Sequence, residues 1–110
     1  MYEIEFSERE WSEINHWGGI PSLIDPKDIK LPTDMDSINT KEDAIKVGKA
    51  IRLSNTVLLE ICHSPTDNIW VFGYYPSNYT LEDMRNWDGG AKRIAVDGNA
   101  YEVIKLWLEE

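Results

Sequence analysis

The first residues of the chain change from a two-residue hydrophobic period to a helical one. Residues 2–6 read YEIEF, and this strict alternation predicts a short strand with its apolar side chains inward. Ser7 and Glu10 have the spacing of a capping box, which predicts a helix over about residues 8–16. The pair Gly18-Gly19 is expected to end that helix, because glycine readily adopts the conformation found after a helix C-terminus.

The next part of the chain is interrupted by prolines and then becomes helical. Residues 18–39, with prolines at 21, 26 and 32, predict a loop that either holds a short strand or turn or is itself functional. Asn39-Thr40 precede two acids, which predicts an N-cap and a helix to about Leu53. The apolar stripe of this helix is Ala44, Val47, Gly48 and Ile51.

The middle of the chain has the pattern of a β-hairpin. Residues 56–63 and 69–75 are rich in β-branched and aromatic residues, and residues 64–68 have the composition of a turn. Both predicted strands are apolar on both faces for much of their length. This favours a position at the centre of a sheet.

The last third predicts one more strand between two helices. Thr80 and Asp83 predict a cap for a short helix through Met84. Residues 87–90 predict a turn, and residues 91–96 predict a strand. Residues 100–108 predict the final helix, because apolar residues recur at the i, i+3, i+4, i+7 and i+8 positions of that segment. These positions are Ala100, Val103, Ile104, Trp107 and Leu108.

Together these elements predict one α+β domain over residues 1–110. The expected architecture is a small antiparallel or mixed sheet of about four strands, with helices packed mainly on one face. A chain of 110 residues with 42% hydrophobic residues can form one modest core.

Charge narrows the possible partners. The formal net charge is −9, and residues 1–36 contain nine acids against three bases. Direct binding of nucleic acid is therefore disfavoured, because phosphates must be met by cations. A basic protein partner is favoured, because a negative field steers its association.

Cysteine content and hydropathy indicate the compartment. Cys62 is the only cysteine, which fits a reducing environment, and no stretch has the apolar length of a membrane span or a signal sequence. We expect a cytoplasmic protein of bacterial or phage origin, with no membrane partner, as a monomer or weak homodimer.

No residue pattern predicts catalysis. Cys62 and His63 are adjacent in a predicted strand, so their side chains point to opposite faces and cannot form a nucleophile–base pair. Asp34-Met35-Asp36 begins like a calcium loop but lacks the glycine and glutamate that should follow. We expect no catalytic residue, metal or cofactor.

Aromatic residues among acids are the strongest functional pattern in the sequence. Aromatic anchors within an acidic rim are typical of a surface that binds a basic partner. Trp70 and Trp107 are instead expected in the core. The predicted partner-binding residues are Glu10, Glu13, Trp17, Asp34, Asp36, Tyr75, Tyr79, Glu82, Asp83, Trp87 and Asp88.

Small size, negative charge and the lack of a catalytic set favour a non-catalytic inhibitor. The leading hypothesis is an immunity protein or antitoxin that occludes the active site of a basic toxin such as a nuclease. The alternatives are a phage anti-defence inhibitor that mimics DNA, a small enzyme or ligand-binding domain with a pocket at Trp17, His63 and Tyr75, and an accessory scaffold subunit.

Overall fold

The computed structural model of the chain describes residues 3–16, 19–22, 24–86 and 91–109. The elements in chain order are β1 (Glu5–Glu8), α1 (Trp11–Ile14), β2 (Gly19–Pro21), a 3-10 turn (Pro26–Asp28), α2 (Lys41–Ala50), β3 (Thr56–Ser64), β4 (Ile69–Pro76), α3 (Leu81–Asn86), β5 (Lys92–Asp97) and β6 (Glu102–Glu109). The α+β class is confirmed, but the sheet has six strands where about four were expected. None of the helices in these ranges is long and apolar enough to cross a membrane.

The strand order of the sheet is β1-β3-β4-β5-β6-β2. Strands β3 to β6 form an antiparallel meander, in which each strand pairs with the next along the chain. β1 pairs in parallel with β3, and β2 pairs antiparallel with β6. The sheet is therefore mixed, and residues from the first fifth of the chain form both of its edges.

Helices cover both faces of the sheet, so the expectation that they pack mainly on one face is wrong. α2 packs on one face, called the α2 face, through Val47 and Ile51 against Ile61, Phe72 and Ile94. α1 and α3 pack on the other, called the α1 face. Its two clusters contain Ile14, Cys62, Val71, Ala95 and Trp107 beside α1, and Leu59, Tyr75, Met84 and Ala91 beside α3. The physical reason is that β3 and β4 are apolar at successive positions, so each face needs its own cover.

The helix expected over residues 100–108 is wrong, because this segment forms β6. A hairpin turn connects it to β5, and Tyr101 has a φ of 57° in that turn. The pairing shifts register between Ala95 and Val96, so a bulge around Ile104 brings Val103 and Leu106 to the same face despite their odd spacing. One extra residue in a strand thus imitates a helical period, and the β-branched and aromatic content favours the strand.

Two N-terminal expectations also need correction. The strand expected over residues 2–6 lies at Glu5–Glu8, because its pairing with β3 continues to the rung of Glu8 and His63. The helix expected over 8–16 is the single turn Trp11–Ile14, and its N-cap Glu10 makes no side-chain capping bond. Of the pair expected to end it, Gly18 lies outside the described residues, and Gly19 lies in β2, where an added Cβ would come within 2.6 Å of the Leu108 carbonyl oxygen.

The elements predicted as α2, the β3–β4 hairpin and α3 are confirmed, although α2 ends at Ala50 rather than near Leu53 and α3 extends past Met84 to Asn86. Thr40 Oγ1 accepts a hydrogen bond from the Asp43 backbone N–H at 3.1 Å and so caps α2. Thr80 and Asp83 cap α3 reciprocally, at 3.3 and 2.8 Å. The loop expected over 18–39 contains β2 and the 3-10 turn, and the turn expected at 87–90 lies outside the described residues.

Candidate functional site

Four separate segments meet at one end of the sheet. The Ile38 N–H donates to the Gly98 carbonyl at 2.9 Å, and the Gly98 N–H donates to the Asn68 carbonyl at 2.8 Å. The Asn68 amide donates back to the Ile38 carbonyl at 2.9 Å. Thr66 Oγ1 donates to Glu10 Oε1 at 3.2 Å, which adds the residues after β1. These bonds hold segments 8–10, 36–43, 65–68 and 97–102 together.

This end, called the acidic end, concentrates negative charge. Its four segments contain two cations, Arg9 and Lys41, against eight carboxylates, a formal balance of −6. The carboxylates are Glu8, Glu10, Asp36, Glu42, Asp43, Asp67, Asp97 and Glu102. Asp43 and Asp97 are half-buried and accept backbone N–H bonds, whereas the other six side chains are exposed.

Among the described residues, the opposite end of the sheet is close to electrical balance. Its described segments are 3–5, 49–56, 76–86, 91–92 and 108–109, and Glu5 there pairs with Arg85 at 3.1 Å. They contain five carboxylates and four cations. These are Glu3, Glu5, Glu82, Asp83 and Glu109, with Lys49, Arg52, Arg85 and Lys92. The charge of the described residues is thus unevenly distributed along the strands.

Four of the predicted partner-binding residues lie at or beside the acidic end. Glu10 and Asp36 belong to it. Glu13 is exposed one turn after Glu10 and pairs with Arg9 at 3.1 Å. Asp34 pairs with Lys46, whose hydrogen bond lowers the pKa of that carboxyl group.

Four others lie at the opposite end. Glu82 and Asp83 are exposed in the first turn of α3. Tyr79 is half-buried and stacks on Tyr75 with ring centroids 6.3 Å apart, and Tyr75 is only 5% exposed. Trp17, Trp87 and Asp88 lie outside the described residues. The structure therefore does not bring the described members of the set together on one surface.

Sequence reasoning missed most of the acidic end. Glu8, Glu42, Asp43, Asp67, Asp97 and Glu102 were not among the predicted residues. Each stands in a turn, at a helix start or next to a strand end, where acids are common. Such placement can be read from the sequence, but which turns meet in space depends on the pairing of distant strands.

A pocket of about 310 Å³ opens at the acidic end on the α2 face. It is lined by Phe6, Ser7, Glu8, Lys41, His63 and Trp70. Glu8, His63 and Trp70 form one row across β1, β3 and β4. The His63 ring stacks on the Trp70 ring, with centroids 3.8 Å apart and planes 14° apart.

The environments of Cys62 and His63 argue against a nucleophile–base pair. The two side chains point to opposite faces, as the sequence predicts, with Cys62 in the α1-face cluster. Burial raises the pKa of the Cys62 thiol and so disfavours the reactive thiolate, although a hydrogen bond with Ser7 acts the other way. His63 and Tyr75 lie on opposite faces, so the expected pocket does not contain both. Within the described ranges, no group of three or more metal-binding side chains comes together.

Arg93 forms the centre of a second charged cluster, on the α1 face. It is 5% exposed, pairs with both Glu60 and Glu109, and donates to the Tyr75 hydroxyl at 3.2 Å. Burial acts to lower the pKa of Arg93, but the Glu60 charge and hydrogen bond outweigh it and raise that pKa. Burial raises the pKa of Tyr75 to about 12. These charges satisfy one another, which is typical of a structural cluster.

Comparison with known proteins gives no assignment. No protein-family model, no curated protein and no solved structure matches this chain.

Proposed function

We propose that this chain is a non-catalytic inhibitor of the immunity-protein or antitoxin class. Its target would be a basic toxin such as a nuclease, whose cationic active site it occludes. The observation that carries the proposal is the acidic end, where six exposed carboxylates and two half-buried ones surround only two cations. A nuclease must present cations to phosphate, so such a surface can take the place of its substrate.

The way the acids are held supports the proposal. The backbone bonds among Ile38, Asn68 and Gly98 fix three acidic segments to the meander of the sheet. A surface that is already ordered loses little conformational entropy on binding, so more of its electrostatic attraction appears as affinity. Its field also raises the rate of encounter with a cationic partner.

The uneven distribution of charge favours a toxin inhibitor over a DNA mimic. A DNA mimic needs a long acidic face with phosphate-like spacing, because duplex DNA presents charge continuously along its axis. Over the described residues, the charge is concentrated at one end, and the opposite end is nearly balanced. One compact acidic surface fits one concave cationic site.

The proposal can be tested with two charge-reversal variants of equal charge change. E42K/D67K alters the acidic end, and E3K/E82K alters the opposite end; all four side chains are exposed. Tagged protein is used to capture partners from bacterial lysate at low and high salt, and bound proteins are identified by mass spectrometry. We expect the wild type and E3K/E82K to capture a basic protein at low salt and E42K/D67K to lose it.

The captured protein is then purified and its nuclease activity measured with increasing inhibitor. Full inhibition at an equimolar ratio is expected for the wild type and for E3K/E82K. Equal capture by both reversal variants, or a captured protein whose activity is unaffected, would contradict the proposal. Slower association at high salt should accompany true binding, because salt screens the steering field.

A further inference from the structure

The pocket at the acidic end has a rigid aromatic wall. Asn68 Oδ1 accepts the indole N–H of Trp70 at 3.0 Å, and Asn68 Nδ2 donates to Ile38 and Asn99 oxygens at 2.9 and 3.0 Å. Because the indole nitrogen can only donate, the amide oxygen of Asn68 must face Trp70 and the amide nitrogen must face Ile38 and Asn99. The same network fixes the stacked pair of His63 and Trp70 in place.

The amide orientation also determines the hydrogen on the His63 ring. His63 Nε2 lies 3.0 Å from Asn68 Oδ1, which can only accept, so Nε2 carries a hydrogen. In the neutral imidazole, Nδ1 is then a hydrogen-bond acceptor. Together with the exposed carboxylate of Glu8, the pocket offers acceptors and aromatic surface to a ligand.

An ammonium group of the protein already lies over a further aromatic ring of the pocket, that of Phe6. Lys41 Nζ lies 5.2 Å from the centre of the Phe6 ring, which is within the range of a cation–π interaction. Lys41 is exposed at the first residue of α2, so its side chain can move away into solvent. The position over the Phe6 ring therefore suits a cation, and a cation other than Lys41 can occupy it.

We infer that this pocket receives an arginine side chain from the basic partner, which displaces Lys41 from the Phe6 ring and pairs with Glu8. That the arginine comes from a partner rests on the proposed function. A guanidinium group has five N–H donors and no acceptor, stacks on aromatic rings and binds carboxylates through two bonds. Those properties match the acceptors, the aromatic wall and the negative field of this end.

The inference can be tested without the partner. The probe is N-acetyl-arginine methylamide, and its matched neutral control is N-acetyl-citrulline methylamide, which has nearly the same shape. NMR titration at low salt follows the indole N–H of Trp70, the His63 ring and the Phe6 ring. We expect saturable shifts at these three residues with the arginine probe, and at least about five-fold weaker binding of citrulline. Equal binding of the two probes, or shifts spread evenly over the acidic end, would overturn the inference.

Three variants should change the affinity for the arginine probe, two downward and one upward, and a fourth is their control. F6L and E8Q should each lower the affinity for the arginine probe by about two- to five-fold. E8Q changes an exposed side chain, so folding is not at risk. K41Q should raise that affinity by a similar factor, because the Lys41 ammonium group no longer competes for the Phe6 ring. K46Q removes the same charge from the same helix and should change affinity by less than about two-fold. Equal gains from K41Q and K46Q would reduce the effect to net charge and overturn the inference.

These results are separable from those on the proposed function. If E42K/D67K loses the partner while F6L, E8Q and K41Q leave probe affinity unchanged, the arginine pocket is wrong and the inhibitor proposal stands. If the probe binds as expected but no basic protein is captured, the pocket stands and the inhibitor proposal fails.

Discussion

The Arg93 cluster and the acidic end use the same chemical groups in opposite ways. In the cluster, two carboxylates and a tyrosine hydroxyl surround one guanidinium group that is almost fully buried. At the acidic end, eight carboxylates face two cations and most of them contact water. The first arrangement lets each charge compensate another inside the protein, whereas the second leaves most of its charge uncompensated at the surface.

This difference shows that burial and pairing, not residue type, separate structural charges from charges that can act on a partner. Breaking a buried ion pair leaves a desolvated charge, so the free energy of unfolding should respond strongly. Changing exposed carboxylates should hardly affect folding, because water already solvates them. Four experiments can confirm or contradict that division.

Removing the guanidinium group should have the largest effect. R93M retains an unbranched apolar stem but leaves Glu60 and Glu109 without their cation. We expect the free energy of unfolding to fall by about 3–5 kcal/mol, measured by urea denaturation. R52M, at an exposed position, is the control and should change it by less than about 0.5 kcal/mol. Similar stabilities of the two variants would remove the distinction between the two charged regions.

Alkaline pH should weaken the same cluster through Tyr75. Its folded pKa of about 12 lies above the ordinary value of 10, so the unfolded chain loses the hydroxyl proton first. The associated stability is fully present below pH 10 and is lost as pH rises from 10 to 12, by about 2–3 kcal/mol. Urea denaturation of the wild type and Y75F across this range measures the effect. If the unfolding free energies of the wild type and of Y75F fell equally with pH over this range, the prediction would be contradicted.

The scaffold of the acidic end should respond to loss of the Asn68 side chain. Asn68 bonds to Ile38, Asn99, Trp70 and His63, and its φ of 51° is one that asparagine tolerates better than alanine. N68A should therefore cost about 2 kcal/mol of unfolding free energy. N99A, which removes only one of these contacts, should cost clearly less. The two variants would behave alike if this network did not hold the turns together.

Charge reversal at the acidic end should have the smallest effect on folding. E42K/D67K is expected to change the free energy of unfolding by less than about 0.5 kcal/mol, because both side chains are exposed. Urea denaturation beside E3K/E82K provides the comparison. If E42K/D67K alone lost several kcal/mol of unfolding free energy, these acids would be shown to stabilise the fold.

Elements that are specified by residues close together in sequence could be predicted from the sequence. The cap at Thr40 and the stripe of α2 are local, and so is the turn between β3 and β4; all were predictable. β6 was not, because the bulge near Ile104 gave a strand the apparent spacing of a helix. With β6 taken as a helix, β2 had no visible partner and the six-stranded sheet could not be deduced.

The candidate site was less predictable than the fold. Acids in the first third of the chain, such as Glu10 and Asp34, do not by themselves form the charged surface, and Asp34 is paired with Lys46. The surface arises because Ile38, Asn68 and Gly98 meet across strands that are distant in sequence. A count of charge in the first third of the chain cannot reveal such a meeting.

The positions of β1 and β2 determine the order in which the protein can assemble. Glu5 pairs with Glu60 and Ile20 with Leu108, so residues 5–21 must find partners at both edges of the sheet. These residues are synthesised before either of their partner strands, and β6 is synthesised after β3. Contacts of this range are slow to form, so docking of this segment is expected to close the folding reaction and its release to begin unfolding.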